Sequence, residues 1–503
     1  MATPSSQKSC SDLRRLDRIV KMTIQWRAIF PLVLGAAIWS IPVPAGLTSN
    51  AWAYFALCIT VIAALIAEPM PGPVIGLLGI TTAAALNLVA ANADDSIRWA
   101  LSGFSNGTVW LIFVAFMFGL GYEKTGLGQR IALNLVRLLG RRPIGLGYAI
   151  ACADLILAPF MPSNTARSGG TIFPIIRSIP PLYGSSPGAD AHRIGGYVMW
   201  TAFAAQAITS SMFLTGNAAN IFAVSVIKET AQIDLSWSDW AAGFLPVGVL
   251  LFIALPPLAF LVCRPEIQAS EEVPRWAGQE LAKMGMIARR EVIMAAIGIS
   301  ALALWIFASE RLNPTTVALI GFGSMILIRL IKWQDVLAYQ EAWKVLIWMA
   351  TLITLADGLN KVGFLDWFAA GVGCACAGIP VTIALVIFIV IFFASHYMFA
   401  SLTAHTTALF AVFLAAGIAI PDMPVRPFAL TLCYTLGLMG VLTPYATGPA
   451  PIYFGSGYIA KRQFWLLGTL FGTIYLVVLL SIGVPYLILA LRDEILAAQP
   501  LGH

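Results

Sequence analysis

Within an otherwise apolar stretch, Pro162-Ser163-Asn164-Thr165-Ala166-Arg167 sets a hydroxyl, an amide, a second hydroxyl and a cation close together. Ser401-Leu402-Thr403-Ala404-His405 repeats the pattern Ser-x-Thr-Ala-basic 401 − 163 = 238 positions later. Polar groups at membrane depth are costly unless they meet a partner or a ligand, so two copies point to one binding site built twice. A helix beginning just after each Ser-x-Thr would offer unpaired N–H donors and partial positive charge, which suits a carboxylate. Two tips facing each other would then hold the two ends of a dicarboxylate. The competing reading is that the Ser and Thr hydroxyls only cap helices. Arg167 and His405 each stand two residues after the Thr of their motif. The first is always charged, and the second is charged or neutral near pH 7. Two further interruptions, Thr215-Gly216-Asn217-Ala218-Ala219-Asn220 and the run Leu442 to Ala450, break long apolar spans. They add Thr215, Gly216, Asn217, Thr447, Gly448 and Pro449, with glycine permitting close backbone approach.

The elements that must position these residues are membrane helices. Of 503 residues, 59% are hydrophobic and 11% charged, where a soluble chain carries about 25% charge. Mean hydropathy is +0.84. Period-two alternation is missing, which argues against an outer-membrane barrel and for an all-α integral membrane protein. Spans are expected near 28–44, 51–67, 73–91, 108–122, 195–227, 240–262, 292–307, 314–331, 343–356, 427–458 and 464–490. Arms at 144–160 and 169–180 form one re-entrant hairpin (144–180), and arms at 379–396 and 404–416 form another (379–416). Non-helical backbone at that depth survives only where it is buried in protein or lines a cavity. Lys124 to Arg142 carries Ile131, Leu135, Leu138 and Leu139 at helical spacing, the pattern of a helix lying on the inner surface.

The chain then divides into a polar tail (1–27), a first transmembrane half (28–263), a charged connecting loop (264–291) and a second half (292–503). Glu123-Lys124-Thr125-Gly126-Leu127 matches Asn360-Lys361-Val362-Gly363-Phe364 at 360 − 123 = 237, and Thr215-Gly216 matches Thr447-Gly448 at 447 − 215 = 232. With the tail inside, the basic loops 123–143, 264–291 and 461–462 also fall inside, as the positive-inside rule expects. Eleven transmembrane helices plus two hairpins put the C-terminus outside and make the repeats inverted. Inverted repeats with broken helices near the midplane mark a secondary transporter. No short apolar core with a small-residue cleavage site closes the first 27 residues, so a secretory signal is not expected; a bacterial inner membrane is.

The remaining candidates read more plainly. The net charge of +6 is cytoplasmic-loop bias, and no nucleic acid is expected as a partner. Seven cysteines lie at 10, 58, 152, 263, 374, 376 and 433, mostly in apolar segments where cysteine packs as a small hydrophobe. The Cys374/Cys376 pair has no second pair beside it. Asp154 suits a partner for Arg167 or a proton relay, Asp357 and Lys361 an ordinary i,i+4 pair, and Glu68 an inner loop. His396 and His405 have no nearby acid at ligand spacing, so neither metal nor cofactor is expected. Ser401, Thr403 and His405 lack an orienting carboxylate, so no enzyme is expected.

The tips at 162–167 and 401–406, together with Leu-Thr-Pro-Tyr-Ala-Thr-Gly-Pro-Ala-Pro-Ile-Tyr-Phe-Gly-Ser-Gly-Tyr at 442–458, resemble the divalent anion/sodium symporter family. Within it they resemble the exchanger branch, which contains bacterial citrate/succinate and tartrate/succinate antiporters and plastid 2-oxoglutarate/malate translocators. The resemblance covers the chain from about residue 28 and implies a homodimer whose transport domain carries substrate in an elevator motion. Sodium-coupled members have Ser-Asn-Thr at both tips; here Leu402 replaces the second asparagine, and Arg167 and His405 adjoin the positions where sodium would bind. The implied function is sodium-independent exchange of di- or tricarboxylates of the succinate, malate, tartrate, citrate or 2-oxoglutarate class. A sodium- or proton-coupled symporter is the alternative. The expected basis of exchange is charge. One or two uncompensated cations at the bilayer centre, at about 2.5–3.5 kcal/mol each, would slow return of the empty carrier.

Overall fold

The computed structural model describes residues 26–491 apart from 267, 268, 270, 309, 310, 376 and 377. The polar tail before Trp26, the C-terminal end and the Cys374/Cys376 pair's second member lie outside the described residues. Among the described residues all regular structure is helical. Two compact units form: one ends at Asn106 and takes in Lys344–Phe368, and the other comprises Gly107–Trp343 and the chain from Ala369. Both hairpins and both broken spans belong to the second unit.

Each expected span has its helix. Among the described residues, eight helical segments are long and apolar enough to cross a membrane, and five shorter apolar helices accompany them. Trp237–Val262 has 26 residues, about 39 Å at ~1.5 Å per residue, which exceeds the ~30 Å hydrocarbon core. Its start is fixed by Ser236 and Asp239, each side chain accepting from the other's backbone N–H at 3.0 Å; this is a capping box. The α-helical outgoing arms of the hairpins, Pro143–Leu157 and Val381–Ser395, have 15 residues each. The α-helical parts run about 22 Å, short of the ~30 Å hydrocarbon core; only with the three-residue turns that follow do they reach the 18 residues that place them among the eight.

Duplication is visible element by element. The two arms start at 381 − 143 = 238 and end at 395 − 157 = 238. Each continues into a tight three-residue turn, Ala158–Phe160 or His396–Met398, at the same offset. Gly126 and Gly363 take left-handed φ of 77° and 74°, a conformation open to glycine without Cβ strain. Each separates a long helix from the next, Leu127–Leu139 or Phe364–Ala375. In the broken spans, Gly195–Met212 stops, a turn Leu214–Gly216 intervenes, and Ala218–Ala231 begins. Val425–Leu438 likewise stops, and Ala450–Gly455 begins 450 − 218 = 232 later.

The structure departs from the sequence reading in three places. The connecting segment is not simply a loop: Glu272–Met284 is a helix that buries Val273, Ala277 and Leu281 against Leu127–Leu139. Arg130, buried in Leu127–Leu139, pairs with buried Glu291 and donates to the carbonyl of Gly285 at 3.1 Å, so the end of the segment is held at its turn. A charged composition hid this helix, because only three of its thirteen residues face inward. The return arms begin earlier than expected, at Thr165 and Leu402. Thr165–Ile172 has the wide turns of a π-helix, a rare geometry that is frequent at functional sites. Ala93–Leu101 and Phe364–Ala375 were also missed, being short and lacking a spanning apolar run.

Candidate functional site

The first hairpin tip is organised by Arg167, which is fully buried. Its Nε donates to both oxygens of Asp154 at 3.2 Å. Nη1 donates to the carbonyls of Met161 at 2.7 Å and Gly216 at 2.8 Å. Nη2 donates to Asn164 Oδ1 at 3.1 Å and Ser210 Oγ at 2.9 Å. All five guanidinium N–H groups are therefore used. Asp154 is buried too and also accepts from Thr209 Oγ1. The expectation of an uncompensated cation at 167 is corrected by this pairing: a buried charge persists only when paired and hydrogen-bonded, and Asp154 supplies the pair. The oxygens of Asn164, Met161, Gly216 and Ser210 surround a guanidinium, the kind of oxygen set that elsewhere holds a hard cation.

Around this keystone the tip is joined to both broken spans. Ala218 N donates to Pro162 O at 3.2 Å, and Thr215 Oγ1 donates to Pro159 O at 2.7 Å while accepting from Trp237 Nε1. Toward the other broken span, an ideal Cβ on Gly448 would stand 1.9 Å from Thr165 Oγ1. Ser168 Oγ lies 2.9 Å from Tyr453 OH. Pro449 ends the interruption, and the short helix from Ala450 begins there.

The hydroxyls of the two tips divide by residue. Ser163 Oγ accepts from Ala166 N at 3.2 Å, and Ser401 Oγ accepts from Ala404 N at 3.4 Å, so both serines cap their return arms. Thr165 and Thr403 make no side-chain hydrogen bond among the described residues, and Thr165 is exposed. Among the described residues, the side-chain groups buried without a partner include Asn164 Nδ2, Asn217 Nδ2 and Thr447 Oγ1. Asn217 caps its own helix through Oδ1, at 3.1 Å from Ala219 N, which aims the amide nitrogen elsewhere.

The second tip is built differently on the same plan. Asp154 has its counterpart in Phe392, since 392 − 154 = 238, and the Phe392 ring lies 4.5 Å from the His405 ring. Phe399, the counterpart of Met161, lies 4.9 Å away. His405 Nε2 meets Ser395 Oγ at 2.9 Å, and that hydroxyl donates to Phe392 O, so the ring nitrogen donates. An aromatic cage replaces the ion pair. Leu402, the counterpart of Asn164, is buried and stands beside Gly440, 3.5 Å from where a Cβ would be, with Thr447 Cγ2 at 3.1 Å. His396 Nε2 donates to Ala446 O at 3.0 Å. Both tips thus meet the second broken span; the first tip meets the first as well, and the second hairpin's return arm, Leu402–Ile418, packs against Ala218–Ala231 of the first.

Sequence reasoning missed Thr209 and Ser210 and gave no role to Asn220, the last residue of the first interruption; the three complete the network, with Asn220 Nδ2 donating to Ser210 O at 2.7 Å. The signal was present in the polar run Thr209-Ser210-Ser211 inside an apolar span.

Paired hairpins and paired broken helices, with polar tips between apolar arms, define a multi-pass carrier of the secondary-transporter class. The chain belongs to the family described as the sodium:sulfate symporter transmembrane region, which matches residues 22–491. It is 43% identical over 475 residues to the citrate/succinate antiporter of Escherichia coli strain K12, covering 92% of this chain and 98% of that one. It is 45% identical over 471 residues to the L-tartrate/succinate antiporter of Escherichia coli O6:K15:H31, covering 91% and 97%. A crystal structure of the Alcanivorax borkumensis YdaH transporter shares the fold with a TM-score of 0.52 at 15% identity, covering 91% of this chain and 100% of that one.

Proposed function

We propose that this chain is a sodium-independent antiporter that exchanges di- or tricarboxylates, succinate among them, across a bacterial inner membrane. The observation that carries the reading is near-full-length similarity, at 43% and 45% identity, to two antiporters that share succinate in their names. The N-terminus is placed in the cytoplasm, the C-terminus in the periplasm, and the working form is a homodimer moving substrate as an elevator. The substrate's two carboxylates meet the tips through Thr165, Thr403, Asn164 Nδ2, Asn217 Nδ2 and Thr447, with Gly448 allowing close approach. Ser163, Ser401, Thr215, Gly216, Leu402 and Pro449 shape the site, and Arg167 and His405 hold it open for an anion.

Exchange follows from desolvation rather than net charge. Arg167 and Asp154 cancel, so the cost of moving the unloaded site falls on polar groups without partners. Each such buried group costs about 1–3 kcal/mol, and the three buried ones together slow an unloaded crossing by at least about a hundredfold at 1.4 kcal/mol per decade. A bound dicarboxylate accepts from these donors and removes the cost. The guanidinium among the oxygens of the first tip takes the room and the ligands a sodium ion would need, which supports independence from sodium.

The test is uptake of labelled succinate into proteoliposomes loaded with unlabelled succinate or left empty. Loaded vesicles are expected to take up label about a hundredfold faster, with no stimulation by a sodium gradient. Equal rates with both loads would refute exchange, and sodium-driven uptake into empty vesicles would replace it with symport.

A further inference from the structure

Away from the hairpins, a cavity of about 390 Å³ lies among Ala191, His192, Tyr197, Val262, Arg264 and Gln463, within the ~300–1,000 Å³ range of ligand sites. We infer that it holds the phosphoryl headgroup of an anionic glycerophospholipid. Arg264 lines it and is exposed. Lys461 and Arg462 stand between Ala460 and Gln463, which both line the cavity. None of these three cations has a carboxylate partner among the described residues. Glu266, two residues from Arg264, bonds His192 Nε2 at 2.9 Å and sets one negative charge against three cations. The result is a net positive rim where two loops meet, both of them assigned to the inner face by their charge.

The planar fork of arginine matches phosphate bidentately, and basic pockets between membrane helices at the cytoplasmic side bind anionic headgroups. A soluble phosphate would satisfy the cations alone. The apolar side of the cavity asks for more: Val262 lines it and is 46% exposed, and Leu261 beside it is 72% exposed. These side chains end the membrane helix Trp237–Val262 and give acyl chains an apolar surface directly beside the cations. An amphiphile uses both halves.

The experiment is native mass spectrometry of the full-length, delipidated protein in detergent with phosphatidylglycerol, cardiolipin or phosphatidylcholine added. Anionic lipids are expected to bind about fivefold more than phosphatidylcholine. Arg264→Ala should cut the anionic adduct about fivefold, and Arg264→Ala with Lys461→Ala about twenty-five-fold. Arg142→Ala, at an exposed arginine that does not line the cavity, should leave it unchanged. Unchanged melting temperatures of the variants show that they fold. Equal binding of all three lipids, or no loss in the double variant, overturns the proposal. Inorganic phosphate at millimolar concentration should leave the lipid adduct in place. Arg264-dependent displacement of lipid by phosphate would give the cavity to the free anion and overturn the lipid assignment.

Discussion

At the scale of single residues, the serines and threonines of the tips have different work although the motif writes them alike. Ser163 and Ser401 close the first turn of a helix, so Ser163→Ala should lower stability by about 0.5–2 kcal/mol while leaving succinate affinity near normal. Thr165→Val and Thr403→Val should do the reverse. Losing a hydrogen bond to a charged ligand costs about 1.5–3 kcal/mol, a ~10- to 150-fold weaker Kd. Thermal unfolding in detergent and calorimetric succinate binding separate the two effects; matching behaviour of serine and threonine variants would sink the division. Arg167 belongs with the structural residues. Arg167→Ala leaves Asp154 buried and unpaired, a cost of about 3–5 kcal/mol, whereas Arg167→Met with Asp154→Leu should recover most of the melting temperature without recovering transport. The motif was legible in sequence as a set of polar types. Which of its groups are already committed was not, because Asp154, Ser210 and Gly216 come to Arg167 from separate elements.

At the scale of elements, Gly448 stands where a side chain has no room. A Cβ on Gly448 would collide with Thr165 Oγ1, so Gly448→Ala should push the first tip from the second broken span and abolish succinate exchange in vesicles. Gly448→Ala combined with Thr165→Ser, which removes only a methyl, should not restore it, since the hydroxyl is the colliding atom. Gly126 and Gly363 mark the two helix-to-helix joints at φ of 77° and 74°. Alanine at either should cost about 1–2 kcal/mol, read as a loss of melting temperature of similar size in both repeats. The spans and the joint positions could be read from hydropathy and from the 237-residue offset. Helix Glu272–Met284 could not, because its charged face dominates its composition and its inward face is recognised only once Leu127–Leu139 lies against it.

For the whole molecule, duplication has kept the skeleton and let the chemistry diverge. Arms, turns and joints repeat at constant offsets, yet Asp154 and Arg167 in one half answer to Phe392 and His405 in the other. The sequence displayed the Arg/His correspondence directly, but the partners emerged only when the arms were folded beside their tips. Each half of the pair at 154 and 167 is also harmful without the other, since either change alone strands a charge in the interior at a cost of about 3–5 kcal/mol. A lineage carrying both cannot reach a neutral tip one substitution at a time without paying that cost. Relatives that lose the arginine should therefore have lost the aspartate as well, so the two positions are expected to change together or not at all.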